Sequence, residues 1–475
     1  MHSGYGSSVS ANGCRFDTRR FVIDHREHLG SECRIAKLRP VTECLLKYLS
    51  SYRVRSLGLM FALTAFLFHV SVSLFAQEKS DPAKQHIALV GGQIYPDPFS
   101  RPISDGIVLI ENGKITAVGT KGRVHVPPGF DTVDCTGKTI VAGFWNSHVH
   151  FTEPKWEGAA NLPAAQLNEQ LQQMLTRYGF TSVVDTGSDL PNTVALRRRI
   201  QSGEVMGPRI LTAGYPLYPH DGIPYYVVES VPPDLVKQFP QPATSEEAVR
   251  AVDEDIAQGA DIIKLFVVSI VTRDGKHVTL PMSLPIVQAA TAEAHCKGKL
   301  VFAHPSTNEG LELILQGNVD VLAHTTEDAV GWSPATVIRL KAADVSLIPT
   351  LTLFSGEDGP DANHKGILQE VKSYSDDGGQ ILFGTDIGYI TDYRLLTREY
   401  ELLGRAGLTF RQVLAALTIA PTKRLGFAAT AGRAADGQDA DLVILDSDPA
   451  DDIKAFSRIK MTLRRGNIIY RAEGQ

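Results

Sequence analysis

Cysteine is scarce in this chain of 475 residues: there are five, and three of them (Cys14, Cys33 and Cys44) lie within the first 50 positions. The remaining two, Cys135 and Cys296, form no Cys-x-x-Cys pair. That excludes a disulfide framework, a zinc ribbon and dithiol redox chemistry as organising features. An excess of positive charge is also missing. Lysine and arginine number 47 against 53 acidic residues, a net charge of −6 with no basic stripe, which argues against a nucleic-acid partner. What is abundant is ordinary: 43% hydrophobic and 21% charged residues, enough apolar material for a large core.

Long apolar runs are lacking except for one, Leu57 to Ala76, preceded by Arg53 and Arg55 and followed by Gln-Glu-Lys-Ser. A basic start, an apolar stretch and a small residue before a polar boundary read as a cleaved secretory signal. An N-terminal membrane anchor is the alternative, although the strongly apolar part is short for a span of about 20 residues. Either way the protein is expected to leave the cytoplasm; on the signal reading it is periplasmic or secreted, with no stable membrane span after cleavage. Residues 1–53 precede a segment that normally starts a protein, so they read as a leader outside the native chain. Translation is then expected to begin near Val54. N-terminal sequencing of the precursor and mature forms tests this, and a peptide from residues 1–50 in the native protein would end the idea.

The most informative stretch is Ile140-Val-Ala-Gly-Phe-Trp-Asn-Ser-His148-Val-His150-Phe. Side chains alternate along a strand, so His148 and His150 face the same way at its end. Two neutral imidazoles there suit a Zn²⁺ ion. Four further segments have a related form: Asp261-Ile-Ile-Lys264-Leu-Phe, Leu-Val-Phe-Ala-His304, Val-Asp-Val-Leu-Ala-His324 and Ile-Leu-Phe-Gly-Thr-Asp386. Each is a short apolar run, as expected of a buried parallel strand, carrying one metal-competent residue. Helical patterns lie between them, at 284–297 and 410–425. Strand, ligand and helix in repetition predict an α/β fold, a (β/α)₈ barrel over 144–426 with its site at the C-terminal strand ends.

Both ends of the remaining chain read as short strands and turns. Asn112-Gly113 is a two-residue hairpin turn, because both residues tolerate positive φ. Residues 84–143 and 427–475 are each too small for a core alone, so they are expected to pair into one small β-sandwich beside the barrel.

With the flanking Gly-Lys-Ile-Thr-Ala-Val-Gly and Ala-Asp-Leu-Val-Ile-Leu-Asp segments, these motifs resemble the amidohydrolase superfamily, in its imidazolonepropionase-like and prolidase-like branch. The resemblance spans nearly everything from residue 86 onward. It implies that His148, His150 and Asp386 hold one divalent metal and that His304 and His324 hold a second, most simply Zn²⁺. It also implies that Lys264, carboxylated by CO₂ to a carbamate, bridges the two ions. A hydroxide between metals about 3.5–4 Å apart would attack the substrate carbonyl, with Asp386 relaying the proton to the leaving amine. On this reading the protein cleaves an amide C–N bond in a small molecule, such as an Xaa-Pro dipeptide or an N-acyl amino acid.

Blander readings stand beside these. A lone lysine after an apolar run usually snorkels or forms an ion pair, and single histidines are more often structural. Lys264 lies inside Ile-Ile-Lys-Leu-Phe, where an uncompensated charge would be costly. The alternatives are a mononuclear deaminase or cyclic-amide hydrolase, an esterase or phosphotriesterase with the same ligands, or a scaffold that has lost catalysis. Thr307, three residues after His304, stands where deaminases carry a glutamate. For substrate contacts, the Tyr/Pro-rich segment 214–226 puts forward His220 and Tyr225, and Tyr389 follows Asp386 by three residues. A homo-oligomer is left open.

Overall fold

The computed structural model describes residues 86–328, 330–354 and 362–473. The leader, the signal and the start site expected near Val54 lie outside them. Among the described residues, no helix is long and apolar enough to cross a membrane.

The chain first lays down β1 (His86–Ile94), β2 (Ile103–Glu111), β3 (Lys114–Thr120), β4 (Asp131–Asp134) and β5 (Thr139–Ala142). The turn joining β2 to β3 has Asn112 at φ 50° and Gly113 at φ 80°, as its sequence predicts. Seven parallel strands follow: β6 (Phe144–Val149), β7 (Phe180–Asp185), β8 (Arg209–Thr212), β9 (Ile263–Phe266) and then, past a hairpin of β10 (Val268–Arg273) and β11 (Lys276–Pro281), β12 (Val301–His304), β13 (Val321–Ala323) and β14 (Ser346–Ile348). The chain ends in β15 (Leu442–Leu445), β16 (Ile459–Arg464) and β17 (Asn467–Arg471).

Each parallel strand is followed by at least one helix, among them Ala164–Met174, Leu284–Cys296 and Pro334–Ala342. This is a barrel-type strand–helix repeat, and its strands do not form one continuous ring. They form a three-stranded sheet (β6-β7-β8) and a four-stranded sheet (β14-β13-β12-β9). The expected eighth strand, ending at Asp386, is not regular. It touches its neighbours through the isolated bridges Leu347↔Ile381 and Val149↔Ile387. The segment runs close to its neighbours, and at Gly384 a Cβ would lie 2.3 Å from Ile348 and 2.9 Å from His148, so glycine is required there. The segment still donates from Leu382 N to Leu347 O and accepts from Ser147 N at Phe383 O, so its backbone remains satisfied.

The helix expected over 410–425 is two helices, Phe410–Leu417 and Ile419–Arg424. Pro421 explains the break: it has no N–H to give to Leu417, and Thr418 adopts φ −131°, ψ −83° at the joint. The β10–β11 hairpin went unanticipated, although Asp274-Gly275 at its tip (φ 51° and 72°) is a recognised turn pair.

Both ends of the described chain contribute to one eight-stranded sheet, β17-β16-β15-β5-β1-β2-β3, with β4 on β1. Leu89, Ile110, Ile140, Leu442 and Ile444 pack together on one of its faces. Beneath the site, Val184, Ala213, Ile262, Phe302, Val321, Ile348 and Leu382 form a separate apolar cluster. Lys264, His304 and Gly384 each follow a member of that cluster by two residues. Period-two alternation therefore turns the polar layer inward directly above the apolar one.

Candidate metal centre

His148 and His150 come from β6 and its end, Lys264 from β9, and His304 from the last position of β12. His324 follows β13, and Asp386 ends the bridged segment. The structure brings all six together. The imidazoles form a row, with ring centroids 5.2 Å apart for His150 and His148, 4.5 Å for His148 and His324, and 4.7 Å for His324 and His304. Asp386 Oδ1 lies 2.9 Å from His150 Nε2 and 3.3 Å from His148 Nε2. Donor atoms of His148, His324 and Asp386 all fall within 4.8 Å of one another, a potential metal-binding triad.

The backbone bends to make this possible. His324 (φ 88°) and Asp386 (φ 60°) both occupy the left-handed region, an uncommon conformation that concentrates at functional sites. Gly388, at φ 102°, leaves no choice of residue, because a Cβ there would meet the His150 carbonyl oxygen at 2.0 Å. That close approach seats the Asp386–Tyr389 turn against the end of β6.

Hydrogen bonds orient the rings. His150 Nδ1 lies 2.7 Å from the Gly187 carbonyl, which can only accept, so Nδ1 carries the proton. A neutral His150 then presents the lone pair of Nε2 to a carboxylate oxygen. Two acceptors 2.9 Å apart need a proton or a cation between them. His324 Nδ1 is 2.6 Å from Thr350 Oγ1, which leaves Nε2 for the centre. His304 Nε2 meets Glu327 at 3.2 Å and the Tyr226 hydroxyl at 3.3 Å. Its buried Nδ1 has no hydrogen-bond partner.

Electrostatics favour neutral donors. Burial, with Lys264 and the other imidazoles nearby, pushes His148 well below the ordinary histidine range. Burial and His304 do the same to His324, and His304 is also lowered, chiefly by burial. His150 is the exception: burial pulls it down, but pairing with Asp386 outweighs that and raises it. Burial drives Lys264 from 10.5 down to about 7, with Asp386 pulling the other way. Its Nζ is buried and has no hydrogen-bond partner. Deprotonated imidazoles, an amine poised to be neutral, a carboxylate and orphaned buried nitrogens suit divalent cations. The residues fit such a group.

The six line a cavity of about 280 Å³. Tyr225 and Tyr389 also line it. Tyr225 rests against His277, with centroids 4.0 Å apart, and Tyr389 lies edge-on to Tyr226 at 6.0 Å. His220 does not line it. Its side chain is 61% exposed, beside Asp221, in a turn where Asp221 has φ 53°. Asp185 sits beneath the centre, held by Ser188 Oγ (2.6 Å), Thr212 Oγ1 (2.7 Å) and Gly187 N (3.3 Å). Thr307 caps the helix Asn308–Gln316. The sequence reading missed Tyr226, Glu327 and Thr350. Tyr226 is the neighbour of a residue it named, and the two others sit in loops after β13 and β14, where no periodicity marks direction.

A model described as the amidohydrolase family matches residues 139–469. The imidazolonepropionase of Thermoplasma acidophilum is 22% identical over 410 residues, 76% of this chain and 88% of that protein. A dihydroorotase of Geobacillus sp. strain WCH70 is 33% identical over 116 residues, which cover 23% of this chain and 24% of its own length. Among solved structures, a Xaa-Pro dipeptidase with bound methionine in its active site superposes with TM-score 0.68 at 20% identity, over 82% of this chain and 100% of that one.

Proposed function

The chain belongs to the amidohydrolase family, in its imidazolonepropionase-like and prolidase-like branch, and is a hydrolase of carbon–nitrogen bonds. From that premise we propose that it cleaves the amide bond of a small molecule with two divalent metal ions, most simply Zn²⁺. His148, His150 and Asp386 would hold one ion and His304 and His324 the other, with carboxylated Lys264 between them. The observation that carries this is Lys264: a lysine 1% exposed, with no hydrogen-bond partner, set among four imidazoles and a carboxylate. A permanent ammonium there would be desolvated and without a hydrogen bond, hence costly, whereas a neutral amine can react with CO₂ and become an anionic ligand.

When bound, the ions would supply Lewis acidity toward the scissile carbonyl and acidify a water. The chain's own groups do the rest. Thr350 and the Gly187 carbonyl fix ring orientation at His324 and His150, leaving Nε2 of each toward the centre. Asp386, held by the turn that Gly388 permits, is placed to take a proton from water and hand it to the leaving nitrogen. The Tyr226 hydroxyl, kept protonated because burial raises it well above the usual phenol range, lies on the cavity lining 3.3 Å from His304 Nε2.

The substrates in view are Xaa-Pro dipeptides and N-acyl amino acids. The same reading takes the parallel strands as an eight-membered barrel, the end strands as a two-layered sandwich beside it, and Leu57–Ala76 as an export signal. A mononuclear cyclic-amide hydrolase or deaminase is the second reading, favoured by the three-donor cluster of His148, His324 and Asp386. Metal analysis of protein purified without chelator separates the two, together with a screen of dipeptides, N-acyl amino acids and lactams. About two ions per chain and amide cleavage are expected. One tight ion, with no activity gained on adding metal, would favour the second reading.

A further inference from the structure

The walls of the cavity differ in kind from its floor. Val227, Val231, Phe239 and Phe266 belong to one packed apolar cluster with Tyr218, and Leu353 and Phe354 add to the lining. Phe266 stacks on His304 with centroids 4.6 Å apart, and Tyr218 stacks on Phe266 at 4.5 Å, so the apolar wall runs directly up to the metal-competent row. Among the described lining residues there is no arginine, and the only lysine is Lys264, inside the centre itself. The acidic groups on the lining are Asp386 and Glu327. Of the histidines outside the centre, His220 points to solvent, and His277 is exposed behind Tyr225 without lining the cavity.

A free carboxylate on the substrate would therefore enter an apolar pocket with no cationic side chain outside the centre among the described lining residues to receive it, and with Glu327 beside it. A buried ion without a partner is costly, and a site that leaves a polar group unpaired rejects it strongly. The hydrogen-bond donors that do line the cavity are neutral. Tyr226 and Tyr389 are phenols on the cavity lining. Neutral hydroxyls suit a carbonyl oxygen. The volume, about 280 Å³, is at the lower edge of small-molecule sites, which run roughly 300–1,000 Å³, and it accommodates about one ring or a short branched chain.

Resting on the amide-hydrolase reading above, but turning its substrate range away from Xaa-Pro dipeptides and N-acyl amino acids, we infer that the substrate is uncharged where it fills this cavity: an N-aryl, N-aralkyl or N-alkyl amide or carbamate, in preference to an amino-acid carboxylate. The test uses matched pairs that differ only in the carboxylate: N-acetyl-2-phenylethylamine against N-acetyl-L-phenylalanine, and glycylpyrrolidine against glycylproline, with the Zn²⁺-loaded protein. The expected result is a kcat/KM at least ten-fold higher for the uncharged member of each pair. Hydrolysis with the acids preferred overturns this inference and leaves the hydrolase reading standing. No hydrolysis of any of the four by metal-loaded protein overturns both. The cause is tested by Phe354→Arg, at a half-buried wall position, with folding checked by thermal melting. A cation there is expected to move the ratio at least ten-fold toward the acid, and an unchanged ratio in the folded variant would show that charge is not what discriminates.

Discussion

Lys264 shows what burial does to one residue. Its neighbours along β9, Ile263 and Leu265, are fully buried, and its own amine is drawn down to about 7 because no solvent stabilises the ammonium. A group half neutral near pH 7 can become a carbamate; an ordinary surface lysine cannot do so to the same extent. Replacing Lys264 with Ala is expected to lower kcat/KM by more than about 100-fold and to reduce bound metal below two ions per chain. Short carboxylic acids should restore part of the activity by supplying bridging oxygens. Lys264→Arg should not substitute, because guanidinium stays cationic at working pH. Metal content and melting temperature measured together separate this from a plain buried ion pair, whose loss would lower stability more than metal binding. A stable, fully metallated and active Lys264→Ala protein would end the bridging role.

At the level of elements, the loops after the strands are held from behind by buried carboxyls. Glu399, on the helix Leu396–Arg405, accepts from Leu351 N (2.8 Å), Thr352 N (2.7 Å) and Thr352 Oγ1 (2.7 Å), fixing the turn next to the Thr350 that orients His324. Glu370 accepts from Thr326 N (3.0 Å) and Thr326 Oγ1 (2.6 Å) in the loop that carries Glu327. Burial raises Glu399 from 4.5 to about 7, against the lowering effect of those hydrogen bonds. Between those two values the unfolded chain ionises while the folded chain keeps its proton. Stability from this group is therefore full below about pH 4.5 and falls as pH rises to 7, by about 3 kcal/mol at most. Glu399→Gln cannot titrate. In metal-free protein, the stability gap between wild type and Glu399→Gln, from urea unfolding, should narrow by that order between pH 4.5 and 7. A gap that stays constant with pH would refute the raised carboxyl.

For the whole molecule, the two chain ends are one structural unit. β15 pairs antiparallel with β5, Leu442 opposite Ala142 and Leu445 opposite Thr139. β5 then passes through Gly143 into β6, the strand of His148. Gly143 N donates to Asp441 O at 2.7 Å, and a Cβ at Gly143 would meet Thr181 Oγ1 at 2.3 Å. Deleting residues 440–475 strips β5 of its antiparallel partner, leaving only its short pairing with β1, and uncovers Leu89 and Ile140. The expected product is insoluble or shows no cooperative thermal transition, although all six residues of the centre remain in it. A soluble, cooperatively melting, metal-binding truncation would show that the parallel strands stand without the end sheet.

The composition and patterning of the chain were enough for the strand–helix repeat, because short apolar runs and helical periodicity are local properties. The six residues that the fold gathers at one cavity were legible too: His-x-His and single polar residues at strand ends stand out against apolar surroundings. The hairpin at Asn112-Gly113 follows from the φ those two residues tolerate. Tertiary structure decided what depends on direction and distance. Whether Tyr225 or Tyr226 reaches His304 turns on where one short helix begins, and His220 faces water because a turn at Asp221 swings it out. The segment before Asp386 passes so close to Ile348 and His148 that only glycine fits at position 384, an approach between groups far apart in the chain. Glu327 and Thr350 lie in loops whose course is set by carboxyls on distant helices, and no period along the sequence records a contact made across that distance.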